Sequence, residues 1–364
     1  MKTEVNNPCC VCGSQESRLL FERTFSGPLN PGPFAIRRCS GCSLLFNSPR
    51  LTPEGIRSLY NEQYYFFRRE DVPEFERIVN IYQRTVAEIG RDIKPGRILE
   101  IGSAKGYLLA VMKALGWQPL GIEVSPEAAH HAAAAFGADC FTGTLEEYVR
   151  SPRHASFPLV LAIDLLEHLE NPREFMEQLR EVVENGGWLI IDTPNGGAYN
   201  IIIQGAEWKG FNPFHIFLFT RENLITLLSK NGFEVHRIFS YSNKMATINR
   251  TPPAEKESEP ASPPPPSSSI KETMKTLLKQ AGLFDTVAPL YRRAKRFTES
   301  AAASSAISRG THPPHQLQAH MAGLIDRALV QIKTTPIYSE TPDFTYALAD
   351  QCGGDNLVVF AIKR

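Results

Sequence analysis

The stretch Ile98-Leu99-Glu100-Ile101-Gly102-Ser103-Ala104-Lys105-Gly106-Tyr107-Leu108-Leu109 decides the fold. It opens as a short buried strand with an acid, Glu100, near its end. Gly102 and Gly106 bound a turn, and an apolar helical run follows from Tyr107. Glycines at such a turn let the backbone approach a bound ligand closely. About 20 residues further on, a second strand ends near Glu123, where a carboxylate can accept hydrogen bonds from ribose hydroxyls.

The alternation continues outward. Helical patterns at 107–115, 127–136, 173–183 and 221–230 separate strand-like runs at 97–101, 119–124, 138–141, 159–163, 188–192 and 233–239, and a last run occupies 356–362. Strands alternating with helices, and strands apolar along their length, predict a parallel sheet covered on both faces. The expected class is α/β, a Rossmann-like, doubly wound, mostly parallel seven-stranded sheet. Upstream, Thr52-Pro53-Glu54 reads as a helix start, and Phe75, Ile78, Val79, Tyr82, Val86 and Ile89 recur at helical period. His130 and His131, in the Ala-rich helix at 127–136, are expected to face solvent.

Five of the seven cysteines fall within the first 42 residues, and four of them form two pairs, Cys9/Cys12 and Cys39/Cys42. Each pair can bend around one ion. Together they supply the closed tetrahedral sulfur shell of structural zinc, with no position open for catalysis. Four free surface thiols are the alternative reading. Cys10 is read as a bystander. The expected organisation is a zinc-binding module at 1–50, a helical connector over the active site at 51–95, and an α/β domain at 96–245 and 351–364. A Pro-rich linker and helical insertion at 246–350 interrupts that domain before its last strand. Four consecutive prolines and three consecutive serines at 263–269 give the insertion its loose start.

Of 364 residues, 42 % are hydrophobic and 21 % charged, which suffices for a core and does not suit a charge-driven disordered chain. Lys+Arg and Asp+Glu number 39 each, so the neutral chain is a poor candidate for wrapping a nucleic-acid backbone. No apolar run reaches the roughly 18 residues of a membrane span, and no apolar leader opens the sequence, so a cytoplasmic protein is expected.

Two cofactor classes compete for the glycine turn. The dinucleotide fingerprint G-x-G-x-x-G is absent, since the turn reads Gly102-Ser103-Ala104-Lys105-Gly106. A dinucleotide would also set its pyrophosphate beside Glu100, where like charges repel. S-adenosylmethionine has no phosphate and carries an ammonium and a sulfonium, which a carboxylate attracts. The charge logic favours S-adenosylmethionine.

These residues carry a resemblance. The chain resembles class I S-adenosylmethionine-dependent methyltransferases. It is most similar to a bacterial subgroup with an N-terminal four-cysteine zinc module, which includes sugar C-methyltransferases and small-molecule O-methyltransferases. The matching stretches are 9–42, 99–106, 121–124, 163–172, Pro194 and 214–232. The resemblance implies that Glu100, Gly102, Ser103 and Gly106 surround the methionine part of the cofactor, and that Glu123 holds the ribose. It places Val124 at the adenine, Thr144 and Leu145 at the adenine edge, and Ile163 and Asp164 as the pocket's closing wall. Tyr65 or its neighbour Tyr64 matches a family tyrosine that reaches cofactor or substrate; packing in an aromatic cluster is the alternative. The family often has a third glycine where Ala104 stands, so a slight change of loop shape is expected.

Two histidines are candidates for a general base toward the methyl acceptor. His168 follows the run 159–163, at the ligand end of the sheet, and its alternative is a structural role. His215 lies among aromatic residues after 188–192, and its alternative is a buried structural histidine. In the sugar C-methyltransferases a Glu-His pair is implicated near this point; Phe214 stands in the Glu position here, which counts against C-methylation. The leading expectation is methyl transfer to a small molecule, a sugar or another biosynthetic intermediate. The competing readings are a nucleic-acid or protein methyltransferase that grips its substrate through the zinc module, and a binding module without catalysis.

Overall fold

In the computed structural model, β6 (Arg97–Ile101) lies inside the main sheet, flanked by β7 (Gln118–Glu123) and β9 (Phe157–Ile163). The structure describes residues 3–5, 8–24, 33–52, 54–55, 71–243, 322–323, 325–327, 329–330, 344–347 and 352–364. Tyr64, Tyr65, the Pro-rich stretch and most of the 246–350 insertion lie outside the described residues. Two compact units divide the chain, residues 1–248 with 314–364, and residues 249–313. All that follows concerns the first.

The sheet extends through β8 (Asp139–Thr142) on one side and β10 (Val183–Pro194) on the other. β14 (Asn356–Lys363) comes next, then β12 (Phe233–Asn243) and β13 (Phe344–Ala347). β8, β7, β6, β9 and β10 run parallel, and β14 inserts antiparallel between β10 and β12. The seven expected strands are all present. β13 is an eighth, from within the insertion, paired antiparallel to the end of β12. Chain order reverses beside β6, with β7 on one flank and β9 on the other, and that reversal opens a crevice at the strands' carboxyl ends.

Both faces of the sheet are covered because consecutive strand residues, which point to opposite faces, are apolar. Leu99, Ile101, Val160, Ala162, Leu189, Ile191, Leu357 and Val359 feed one core. Their chain neighbours Ile98, Leu159, Leu161, Ile190, Val358 and Phe360 feed the opposite one. The first core is closed by α4 (Leu145–Val149), α5 (Pro172–Val182) and α6 (Arg221–Lys230). The second is closed by α1 (Asp71–Asp92) and α2 (Tyr107–Ala114). In α1 the residues expected on one face, Phe75 through Ile89, are those packed on the sheet. α3 (Pro126–Phe136) starts as its sequence dictates, with Pro126 in the first turn and the Ser125 hydroxyl accepting the Ala128 N–H.

The cysteine pairs belong to a second, antiparallel sheet. Its strands are β2 (Ser17–Thr24), β3 (Pro33–Cys39), β4 (Leu45–Asn47) and β11 (Phe217–Leu218), in the order β11-β4-β3-β2. β1 (Thr3–Glu4) pairs separately with β5 (Arg50–Leu51). β11 lies some distance along the chain from the other three strands, just after His215. Cys9, Val11, Phe34, Leu44 and Phe46 share a core with β6, β9 and β10, so the module is packed into the α/β domain. Among the described residues no helix is long and apolar enough to cross a membrane.

Candidate active site

The glycine turn is locked to the neighbouring strand. The N–H groups of Gly102 and Ser103 both donate to the Ile122 carbonyl, at 2.8 and 3.1 Å. Gly106 starts α2 with φ +79°, and a Cβ there would stand 2.5 Å from the Ala132 Cβ. Glycine is required at that position by conformation and by the approach of α3. Ala104 occupies the left-handed region too, at φ +46°. The missing third glycine has therefore left the loop in a conformation that an L-residue adopts only at a cost of about 1–2 kcal/mol. Ala104→Gly is expected to stabilise the fold by about 0.5–1 kcal/mol, after subtracting glycine's extra freedom in the unfolded chain. A thermal melt checks this, and a lowered midpoint would argue against strain at Ala104.

Glu100 and Glu123 face this turn from adjacent strands. Glu123 is buried, and its two carboxylate oxygens accept the N–H groups of Ala104 and Ser125, both at 2.8 Å. Glu100 is buried as well, and its Oε2 has no hydrogen-bond partner among the described residues. Burial, and then the like charge of Glu123, push the Glu100 carboxyl well above the usual range. Burial also raises Glu123, against the pull of the Ser125 and Ala104 N–H groups. Ser103 is buried, Val124 is 60 % exposed at the crevice, and Thr144 caps α4 by accepting the Glu147 N–H. Leu145, the first residue of α4 just past β8, and Ile163, at the end of β9, are buried. The candidate cofactor residues of the described chain thus converge on one edge, the carboxyl ends of β6 to β9.

His131 departs from expectation. Its Nδ1–H donates to the Lys105 carbonyl at 3.1 Å, and its ring packs edge-on against Tyr107 and Phe136. It braces the glycine turn from α3 because its position in the helix faces α2; His130 is the exposed one.

Beyond Ile163 the chain turns through Asp164, which has φ +46°, into a 3₁₀ turn, Leu166–His168. The Tyr82 hydroxyl of α1 donates to Asp164. Asp192 at the end of β10 accepts from Tyr241 at 3.0 Å and Asn356 at 3.2 Å. Glu167 is 1 % exposed; its Oε2 accepts the Thr193 hydroxyl at 2.9 Å, and its Oε1 lies 3.6 Å from His168 Nε2. Burial raises all three carboxyls, with Asp164 adding to the rise at Glu167 and Asp192.

The two histidines meet. Their rings stand edge to face, 4.9 Å apart between centroids. His168 Nδ1–H donates to the Phe214 carbonyl at 3.0 Å, and His215 Nδ1–H to the Gly210 carbonyl at 2.8 Å. These bonds leave Nε2 of each ring as the atom with a lone pair. Burial lowers His168 to about 4 and, with His168 adding to it, His215 to about 3. Both are neutral and weakly basic. Two residues that sequence reading passed over complete the arrangement. Glu167 is adjacent in sequence to His168, and that Glu-His dipeptide was the available signal. Asn47 of β4 donates to the Asn212 and His215 carbonyls at 3.0 and 2.9 Å, a contact across more than 160 residues that no local pattern announces. Asn195 is structural, its amide donating to the Cys352 and Gly354 carbonyls.

The four cysteines converge. Their sulfurs lie within 4.8 Å of one another, with Cys9–Cys42 at 3.6 Å and Cys12–Cys39 at 3.5 Å. Sulfurs about 2.3 Å from one tetrahedral ion stand about 3.8 Å apart, so the cluster fits a zinc module. The knuckles are tied to the α/β domain by Arg173, which donates to the Cys9 and Cys10 carbonyls. Asn223 donates to the Cys42 carbonyl and Lys230 to the Val11 carbonyl.

Comparison with known proteins agrees with this geometry. A family described as a methyltransferase domain matches residues 74–238. A ubiquinone biosynthesis O-methyltransferase from Cereibacter sphaeroides is 28 % identical over 176 residues, 43 % of this chain and 70 % of that protein. A probable S-adenosylmethionine-dependent methyltransferase from Mycolicibacterium smegmatis is also 28 % identical, over 48 % of this chain and 61 % of that protein. The crystal structure of a SAM-dependent methyltransferase from Archaeoglobus fulgidus aligns with 83 % of this chain and 100 % of its own at 15 % identity, with a TM-score of 0.43. Residues 74–238, which hold the glycine turn, both acids and the two histidines, thus match a methyltransferase domain, and the chain is similar to S-adenosylmethionine-dependent methyltransferases.

Proposed function

We propose that this enzyme transfers the cofactor's methyl group to a hydroxyl oxygen of a small molecule, and that the acceptor is received at the His168–His215 pair. The observation that carries the reading is the convergence of two neutral imidazoles, with Nε2 lone pairs, beside the crevice that Glu100 and Glu123 line. Oxygen attack on the sulfonium methyl breaks the C–S bond and leaves its electron pair on sulfur. The methylated oxygen becomes a strong acid as the bond forms, so an imidazole of lowered basicity suffices to take its proton. The chemistry of the ubiquinone relatives, O-methylation, supports oxygen as acceptor atom, and the absence of an acid at position 214 supports it further. A sugar or another biosynthetic intermediate remains the expected acceptor class.

In this reading the cofactor residues hold S-adenosylmethionine as the resemblance implies. Glu100, Gly102, Ser103 and Gly106 take its methionine part, Glu123 the ribose, Val124, Thr144 and Leu145 the adenine side, and Ile163 and Asp164 the wall, with Tyr65 reaching in from the connector. Cys9, Cys12, Cys39 and Cys42 hold a structural zinc ion.

Calorimetry with S-adenosylmethionine in two buffers of different ionisation enthalpy tests the reading. A saturable heat is expected. An arriving ammonium and sulfonium favour the charged form of the raised Glu100 carboxyl, so its pKa falls on binding, and proton release is expected within a series of buffer pairs of falling pH. A flat titration overturns the proposal; binding heats equal in both buffers at every pH of the series overturn the role of Glu100.

A further inference from the structure

The carboxyl ends of β6, β7, β9 and β10 carry Glu100, Glu123, Asp164, Glu167 and Asp192 around the crevice. Four of these acids are buried; Asp164 is exposed. Ile163 before it and Leu166 after it are buried, so Asp164 stands out at a strand end where a ligand can reach it. It also stands close to the glycine turn. Ile101 of β6 is paired with Ala162 of β9, so Gly102 and Asp164 lie just past the ends of neighbouring strands, and such strands run about 4.8 Å apart. The two turns touch, because a Cβ on Gly102 would meet Leu165 at 3.3 Å.

Asp164 is held from two sides. Its N–H donates to the Asp192 carbonyl at 2.9 Å, and its carboxylate accepts the hydroxyl of Tyr82, which is 5 % exposed on α1. The groups that act on it electrostatically, or that it acts on, are Arg77 and Tyr82 of α1, Glu167 in the next turn, Asp192 of β10 and Tyr241 of β12. Protein crowding raises its carboxyl, and the Tyr82 hydrogen bond and the Arg77 charge oppose that rise. The Arg77 guanidinium is itself bound to Glu74 at 2.6 Å.

We propose that Asp164, positioned by Tyr82, recognises the sulfonium charge of the methyl donor and so separates donor from product. S-adenosylmethionine and S-adenosylhomocysteine share their ammonium, carboxylate, ribose and adenine. They differ in one methyl group and in the charge on sulfur. A carboxylate in a crevice of low effective dielectric attracts the cation and does nothing for the neutral thioether. Transfer erases the charge, so the attraction that holds the donor is absent from the product. The effect falls on donor affinity and product release; the transition state, where the sulfur charge is already fading, gains less from it. This role rests on the cofactor placement proposed above.

The test compares both compounds by calorimetry on wild type, Asp164→Asn and Tyr82→Phe. Asparagine keeps the size of the side chain, tolerates the left-handed backbone and still accepts from Tyr82 through its amide oxygen, so the charge alone is removed. Asp164→Asn is expected to bind S-adenosylmethionine at least about tenfold more weakly, with S-adenosylhomocysteine within about threefold of wild type. Tyr82→Phe is expected to shift the ratio of the two affinities the same way at neutral pH and to recover as pH rises. Loss of the hydroxyl raises the Asp164 pKa, and a more alkaline buffer restores its charge; a structural defect would not be repaired by pH. Melting curves report whether each variant folds, and Tyr82→Phe carries the test if Asp164→Asn does not. A ratio unchanged in the folded variants, or equal weakening of both ligands, overturns the proposal while leaving the cofactor site in place. A wild type that binds neither compound removes the cofactor placement and this inference together.

Discussion

Glu123→Ala is expected to weaken S-adenosylhomocysteine binding by at least about 100-fold. The carboxylate already accepts the Ala104 and Ser125 N–H groups, and an ionised carboxylate has about four lone-pair sites. Two sites remain for ribose hydroxyls without breaking the pair that exists. Hydrogen bonds to a charged group contribute roughly 1.5–3 kcal/mol each, so losing two costs about 3–6 kcal/mol, and each 1.4 kcal/mol is a factor of ten. Truncation also frees the Ala104 N–H, which lies in the strained part of the glycine turn, so the loop is loosened from both sides. Removal of the Glu123 charge also lowers the Glu100 pKa, because the like charge is one of the two causes that raise it. The variant should therefore release fewer protons on whatever cofactor binding survives. Calorimetry on wild type and variant reads both effects; affinity within about threefold of wild type would mean that the ribose is held elsewhere.

The distance over which each contact acts decides what the sequence revealed. Strand β6, its glycine turn and the acid ending β7 were legible because they are local. Neighbouring apolar residues of a strand point to opposite faces, and Leu99 and Ile98 do feed opposite cores. The two cysteine pairs were legible because thiolate spacing constrains one ion. His168 and His215 could each be picked out, but not their meeting, which depends on β10 lying beside β9 in the sheet. Glu167 stood beside His168 in the sequence, but the hydrogen bond from Thr193 that orients it did not show there. His131 was misjudged because an Ala-rich helix shows little contrast between its faces. β13 and the β4–β11 pairing were illegible because strands of four and two residues carry almost no periodicity.

That last pairing gives the cysteine module a role beyond stability, and Cys39→Ser is expected to expose it. Serine does not replace a thiolate ligand, so the ion should be lost, and with it an apparent stabilisation on the order of 10 kcal/mol for a structural zinc site. An ion held by the four cysteines would fix the end of β3 and its following knuckle; β3 pairs with β4, and β4 pairs with β11 at Phe46–Phe217 and Leu45–Leu218. Asn47 at the end of β4 holds the carbonyls of Asn212 and His215, and its backbone N–H donates to the Ile216 carbonyl at 2.9 Å. Loosening the module therefore loosens the loop that carries His215, while Glu100, Glu123 and the glycine turn stand on the parallel sheet. The expected outcome is divided: methyl transfer falls by at least about tenfold, S-adenosylhomocysteine affinity changes little, and amide exchange accelerates at 212–219 but not at 97–101. A conservative control is Asn47→Asp, which keeps the fold and the ion but replaces the donating amide with an acceptor facing two carbonyls. It should reproduce the loss of turnover and the faster exchange with zinc content intact. Unchanged exchange at 212–219 in the zinc-free Cys39→Ser protein would show that the loop is held by the α/β domain alone, and the coupling between the cysteine cluster and the acceptor site would have to be abandoned.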